Sequence, residues 1–212
     1  MRDGHRSCPL WAAVILAAAF SHIPAPLAAA HFQLPFAPTD YNEYCDYRGL
    51  LQIRGLAAQA GDEVAFVNSR GEICGTVAVG WAGQYGIVPV YGHHLANGDR
   101  LGVRVWDSRQ GREWRGGSVS LKPGSPSGFT MASLVPPIWQ PMSGFALDIE
   151  VLPLAGDVNA DGAIDLTDLL LSLQVLAGAD PADVALEGDV NGDGRIGLAE
   201  TDYILQRISG FR

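Results

Sequence analysis

Two hydrophobic rhythms divide this chain. From Tyr41 to Leu152, apolar residues come in short β-type runs separated by Gly, Asp, Asn and Ser. Across Arg100 to Asp107, Leu101, Val103 and Val105 alternate with Gly102, Arg104 and Trp106, the two-residue period of a half-buried strand. Further strands are predicted over Leu50 to Ile53, Glu63 to Val67, Ile73 to Val79, Tyr85 to Tyr91, Val119 to Leu121 and Phe145 to Val151. Asn68-Ser69-Arg70-Gly71 suits a hairpin, and Ser108-Arg109-Gln110-Gly111 is a second turn. About seven short strands with such turns predict a small antiparallel sandwich, without singling out one topology. Residues Lys122 to Pro141 are rich in Pro, Gly and Ser and read as a long loop or a spacer before the last strand.

Beyond Leu152 the period becomes helical. Leu169, Leu170, Leu173 and Leu176 fall on one predicted apolar stripe, and Tyr203, Ile204, Leu205 and Ile208 supply its equivalent. Gly178 and Gly210 stand at matching places as helix stops. Neither half buries its stripe alone, so the two are expected to pack together.

Ahead of each predicted helix lies the same oxygen-rich pattern, repeated at an offset of 32 residues. Asp157, Asn159 and Asp161 align with Asp189, Asn191 and Asp193, Gly162 with Gly194, Ile164 with Ile196, and Asp168 with Glu200. Alternating oxygen side chains at positions 1, 3 and 5, a turn glycine at 6, a carbonyl at 7 and a carboxylate at 12 form a calcium loop. Ala163 and Arg195 supply the position-7 carbonyls. Asp165 occupies position 9 of the first loop, where the second has Gly197 and needs water. Asp168 is shorter than Glu200, so closure of the first site by two oxygens is less well served. An EF-hand also has a helix before each loop. The strand-like "FALDIEVLPLAG" and the short "GADPADVALEG" provide none.

Loop then helix, twice, each opening on "GDVN", resembles the type I dockerin domain over about Gly156 to Gly210. The resemblance implies two bound Ca2+ ions and docking onto a cohesin-like partner, often in assemblies that degrade polysaccharides. It implies side-chain ligands Asp157, Asn159, Asp161, Asp165 and Asp168, then Asp189, Asn191, Asp193 and Glu200. It places partner contacts at Leu166-Thr167 and Leu198-Ala199, where many members have Ser-Thr. Leu173-Gln174 and Leu205-Gln206 offer near-symmetric helix faces that would permit docking in two orientations.

Charge sharpens this division. The net charge is −9, and Gly156 to Arg212 carries 11 acidic against 3 basic residues, whereas His31 to Ala155 carries 11 against 9. That balance offers no basic patch for nucleic acid. Leu10 to Phe20 is an uncharged run of 11 residues after a weakly basic start, and Ala28-Ala29-Ala30 follows it. This is the layout of a secretory signal peptide cut near Ala30, too short for the ~20 residues of a membrane span. Export makes a Cys45–Cys74 disulfide plausible against two buried thiols. The expected organisation is a signal peptide (1–30), a mainly β, immunoglobulin-like sandwich (31–152) and a small helical domain of two EF-hand-like calcium loop–helix repeats (153–212).

Catalytic chemistry finds little support. His93 and His94 with Asp99 make a poor chelate if the histidines lie on a strand, where neighbours face opposite ways, and "YGHHLANGDR" reads more simply as a loop between strands than as a metal or catalytic site. The pairs Asp62-Glu63 and Asp148-Glu150 read as edge residues. No serine sits in a nucleophile-elbow pattern. Trp81, Trp106, Trp114 and Trp139 would stack on sugar rings if exposed and fill the core if buried. The sequence thus predicts a secreted, non-enzymatic calcium-binding interaction protein. Its alternatives are a sugar-binding accessory of polysaccharide degradation and a protein that uses calcium only as an internal brace.

Overall fold

The computed structural model describes residues 30–125, 132–182 and 184–210. The predicted signal segment lies outside the described residues apart from Ala30. No helix among the described residues is long and apolar enough to cross a membrane.

The N-terminal part is built from two sheets. One contains β1 (Tyr44–Arg48), β2 (Leu51–Ile53), β3 (Leu56–Ala57), β6 (Val88–Tyr91), β9 (Val119–Pro123) and β10 (Gly144–Val151). The other runs β5-β4-β7-β8, with β4 (Glu63–Val67), β5 (Ile73–Ala78), β7 (Gly102–Asp107) and β8 (Arg112–Trp114). Every pairing in this second sheet is antiparallel. The first sheet departs from the all-antiparallel expectation. β10 runs parallel to β1, with Asp46 opposite Gly144, and parallel to β2, with Leu51 opposite Ile149. Parallel neighbours need a long crossover, and here the rest of the β part lies between them in sequence. β1 and β2 keep one register along β10 and are separated by Gly49, where a Cβ would lie 2.0 Å from the Leu147 carbonyl oxygen.

β1, β3 and β8 have no counterpart among the predicted strands. β1 does alternate, with Cys45 and Tyr47 buried, but Asp46 and Arg48 interrupt its apolar signal. β8 is three residues long and takes its form from pairing with β7.

The core lies between the sheets and includes Tyr47, Leu51, Phe66, Val105, Trp114 and Leu147. Burying each large apolar side chain contributes about 1.5–3 kcal/mol. Tyr47 stacks on Phe66 at 4.6 Å and on Phe145 at 5.2 Å, and its hydroxyl donates to the Ile138 carbonyl at 2.5 Å. Cys45 and Cys74 are free, buried thiols, which corrects the disulfide expected from export. They lie on strands of different sheets, and the Cys74 thiol points at the carbonyls of Glu72 and His93, 3.5 Å from each. Burial pushes both thiols up to about 11.

Asp62 and Glu63 are buried, not edge residues. Glu63 accepts the backbone N–H groups of His31 and Phe32 at 2.7 and 2.9 Å, and so fixes the start of the described chain. Asp62 accepts from the Gln59 and Ser108 N–H groups and from the Ser108 hydroxyl. Trp114 and Trp139 are core residues, and Trp106 lies under His31 at 3.7 Å. Trp81 is 83% exposed.

The C-terminal part has two helices, α1 (Leu166–Leu176) and α2 (Leu198–Ser209). They pack on each other around Val158, Ile196 and Ile204, with Ile164, Leu169 and Val175 at the margin. The predicted α1 stripe is mostly on the wrong side. Leu169 faces inward, but Leu170, Leu173 and Leu176 are 56, 47 and 45% exposed, and Ser172 is buried. Both helices stop at left-handed glycines as predicted, Gly178 at φ 81 and Gly210 at φ 72. Among the described residues no α-helix leads into either loop in the EF-hand manner: β10 leads to the first, and a single 3-10 turn, Leu186–Gly188, leads to the second.

Candidate metal loops and docking face

The first loop curls around the carboxylate of Asp157, which accepts from the N–H groups of Asp161 at 3.0 Å and Gly162 at 2.8 Å. Asn159 Oδ1 accepts from Asp161 N–H at 2.9 Å, and Asp161 Oδ1 from Ala163 N–H at 2.9 Å. Asp168 reaches back from α1 and accepts from Val158, Asn159 and Asp165 N–H groups at 2.8, 3.0 and 2.9 Å. The second loop repeats this set. Gly194 N–H donates to Asp189 at 2.7 Å, Asp193 N–H to Asn191 at 3.0 Å and Arg195 N–H to Asp193 at 2.9 Å. Glu200 accepts from Val190 at 3.1 Å and Gly197 at 2.7 Å. Each ionised carboxylate has about four lone-pair sites, so these bonds orient it without filling it.

Asp165 has a second occupation. As N-cap of α1 its side chain accepts from Thr167 N–H at 2.7 Å and forms a capping box with Asp168. Gly197 stands in its place before α2, where Thr201 bonds back to the Gly197 carbonyl.

The donor set fits a hard divalent cation. Asp157, Asp168 and Glu200 are 3, 0 and 1% exposed. Among the described residues no Lys, Arg or His is ion-paired with any of the three. Buried unpaired carboxylates are costly, and an ion bound by oxygen ligands offsets that cost. The cost shows in Asp157. Burial pushes its carboxyl up to about 6, against the lowering effect of the Gly162 and Asp161 N–H groups and with the neighbouring charges of Asp168 and Asp161 adding to it. Asp189 moves the other way, held below the usual carboxylate range by backbone N–H groups, that of Gly194 first.

The first loop is also seated on the β part. Arg115 Nε donates to the Asp161 carbonyl at 2.9 Å, and Gly117 N–H donates to the Gly162 carbonyl at 2.7 Å. Glu187 pairs with Arg54 at 3.4 Å and Arg112 at 3.2 Å. Sequence reasoning missed this seat. Its one local signal was the adjacent Gly116 and Gly117, since paired glycines mark a close backbone approach.

Every residue assigned to the partner face is exposed: Leu166, Thr167, Leu173 and Gln174 on α1, and Leu198, Ala199, Leu205 and Gln206 on α2. Leu166 and Leu198 are 71 and 72% exposed. The structure adds Leu170, which completes an outward apolar stripe with Leu166 and Leu173 at helical spacing. The matching place on α2 is Asp202, which accepts from Gln206 at 2.8 Å.

Two loop–helix repeats that share one core and turn leucines to solvent define a small docking module. The family model for the dockerin type I domain matches residues 155–203, so the C-terminal part of this chain carries a type I dockerin domain. Domains of that family are non-catalytic, bind Ca2+ in EF-hand-like loops and bind cohesin partners. No curated protein and no solved structure matches the chain.

Proposed function

We propose that the chain is an exported docking protein, cut near Ala30, in which residues 153–212 bind two Ca2+ ions and join a cohesin-like partner. The β part, residues 31–152, read as an immunoglobulin-like sandwich, is then displayed in an extracellular assembly. The carrying observation is the duplicated, inward-curled carboxylate network beneath exposed leucines. Asp157, Asn159, Asp161, Asp165, Asp168 and the Ala163 carbonyl would hold one ion. Asp189, Asn191, Asp193, Glu200 and the Arg195 carbonyl would hold the other. Bound Ca2+ supplies positive charge to the buried carboxylates. The chain's own N–H groups pre-orient those carboxylates, and Asp168 and Glu200 tie each loop to the first turn of its helix.

The two faces differ in chemistry. Leu166, Leu170 and Leu173 form a continuous apolar stripe, whereas Asp202 divides Leu198 from Leu205. The α1 face is therefore the primary docking face, and the two orientations are unequal. The test is calorimetric titration of the full chain with type I cohesin modules, in Ca2+ and in chelator. Binding is expected only with Ca2+, with Leu173→Asp weakening it at least tenfold more than Leu205→Asp. Failure of the folded, Ca2+-loaded chain to bind any module would overturn the docking reading, and equal losses would overturn the preferred face.

The seat of the first loop on Arg115 and Gly117 favours a second, compatible role for that site as a brace between the two parts. Exposed Trp81 is the support for a sugar-binding reading of the β part.

A further inference from the structure

Three side chains outside the loops converge at one end of the β part. Glu72 precedes β5, and His93 and His94 follow β6. One ligand atom from each lies within 4.8 Å of the others. Glu72 Oε2 is 2.9 Å from His94 Nδ1 and 3.8 Å from His93 Nε2. The argument against these histidines as a chelate holds only on a strand, and they lie in a loop, the simpler reading of the sequence: β6 ends at Tyr91, His93 N–H folds back to the Tyr91 carbonyl at 2.8 Å, and His94 has φ 53. A left-handed backbone at a non-glycine residue is strained, and such strain clusters at functional sites. Here the two rings end 4.2 Å apart between centroids. Asp99, weighed with the histidines in the sequence, is not part of the cluster and accepts from Ala96 N–H at 2.7 Å.

A supporting shell holds the three in place. Asn68, 4% exposed, donates to Glu72 Oε2 at 2.7 Å and to the His93 carbonyl at 3.3 Å. Its Oδ1 accepts from the Arg70 and Glu72 N–H groups. The Tyr41 hydroxyl lies 2.6 Å from His93 Nδ1, which leaves Nε2 to face Glu72. Phe36 stacks on the His93 ring at 4.5 Å. A ligating imidazole whose second nitrogen is already held is the usual arrangement at metal sites.

We propose that Glu72, His93 and His94 bind a divalent transition-metal ion, with Zn2+ as its probe, leaving the outward coordination position to water. Two imidazole nitrogens and one carboxylate suit Zn2+, whereas Ca2+ takes oxygen ligands. Bonds of ~2.0–2.1 Å place tetrahedral ligand atoms about 3.3 Å apart. The Glu72 distances of 2.9 and 3.8 Å straddle that value, so small side-chain rotations complete the set. The His94 and Glu72 side chains are 46 and 34% exposed, which gives the ion a path from solvent. The bound ion links the β4–β5 turn to the exit of β6. This site is independent of the dockerin reading.

The test is calorimetric titration of Zn2+ into the full chain at saturating Ca2+, so that the loop carboxylates are occupied. One saturable Zn2+ site is expected, weakened at least tenfold in Glu72→Gln and in His94→Ala. His31→Ala, which changes an imidazole beside Glu113, should bind as the parent does. His94 is exposed enough for its replacement to leave the fold intact, checked by circular dichroism, so the result does not depend on a His93 variant. No saturable Zn2+ binding by the parent, or parent-like binding by both Glu72→Gln and His94→Ala, would overturn the proposal.

Discussion

The two loops carry nearly the same residues and occupy different surroundings. The first is pressed against the β part. Asp157 is buried, and at Gly162 a Cβ would lie 1.9 Å from the Arg115 carbonyl oxygen. The second is open to solvent from Asn191 to Arg195, and a Cβ on Gly194 would meet nothing within 4 Å. Both glycines have positive φ, 85 and 77. The loop pattern accounts for that shared conformation. Only the seat accounts for the crowding at Gly162. Equivalent motif positions can thus hold one residue type for different sets of reasons, and the opposed shifts of Asp157 and Asp189 follow from the same contrast.

The sharpest way to break this comparison is a pair of glycine substitutions. Gly162→Ala should destabilise the chain by about 3 kcal/mol or more, because a backbone clash adds to the strain of positive φ. Gly194→Ala should cost about 1–2 kcal/mol, from φ alone. Urea denaturation of the full chain at saturating Ca2+ measures both, and equal costs would deny the seat any role.

The closing carboxylates come next. Asp168→Ala strands three N–H groups, that of buried Val158 among them, and should cost about 2–4 kcal/mol. Glu200→Ala strands two half-buried groups and should cost about 1–3 kcal/mol. The same denaturation, followed through the helix signal in circular dichroism, ranks them. A larger loss from Glu200→Ala would show that Ca2+ held by the longer side chain outweighs burial.

The smallest effect is expected at the edge of the seat. Glu187→Ala removes two partly exposed ion pairs and should cost about 0.5–1 kcal/mol. The difference from the parent should shrink as salt is raised, in thermal melts across a salt series. A loss that ignores salt would mean that Glu187 acts through packing.

What the sequence made legible was local chemistry. Oxygen ligands two residues apart and a glycine at position six are a short-range pattern, so both loops, both helices and both helix stops are visible in it. Which side of a helix is buried is a tertiary fact. An all-leucine run such as Leu169 to Leu171 cannot declare it, and three of the four residues assigned to the α1 stripe face water. β1 escaped notice because Asp46 and Arg48 break its apolar run and both its pairing partners, β6 and β10, are remote in sequence. The loop around His93 and His94 was legible from Gly92, Asn97 and Gly98, but Glu72, Asn68 and Tyr41, which meet the pair there, are remote in sequence.

β10 passes into the first loop through only Leu152 to Ala155, and it is hydrogen-bonded along both edges, to β9 on one side and to β1 and β2 on the other. A pull on the C-terminal part therefore enters the sheet along the length of its most embedded strand. To extract that strand the load must shear both ladders together, whereas a hairpin at the rim would unzip one bond at a time. A protein anchored at this end would hold what it carries as a stiff bracket under flow, not as a tethered weight.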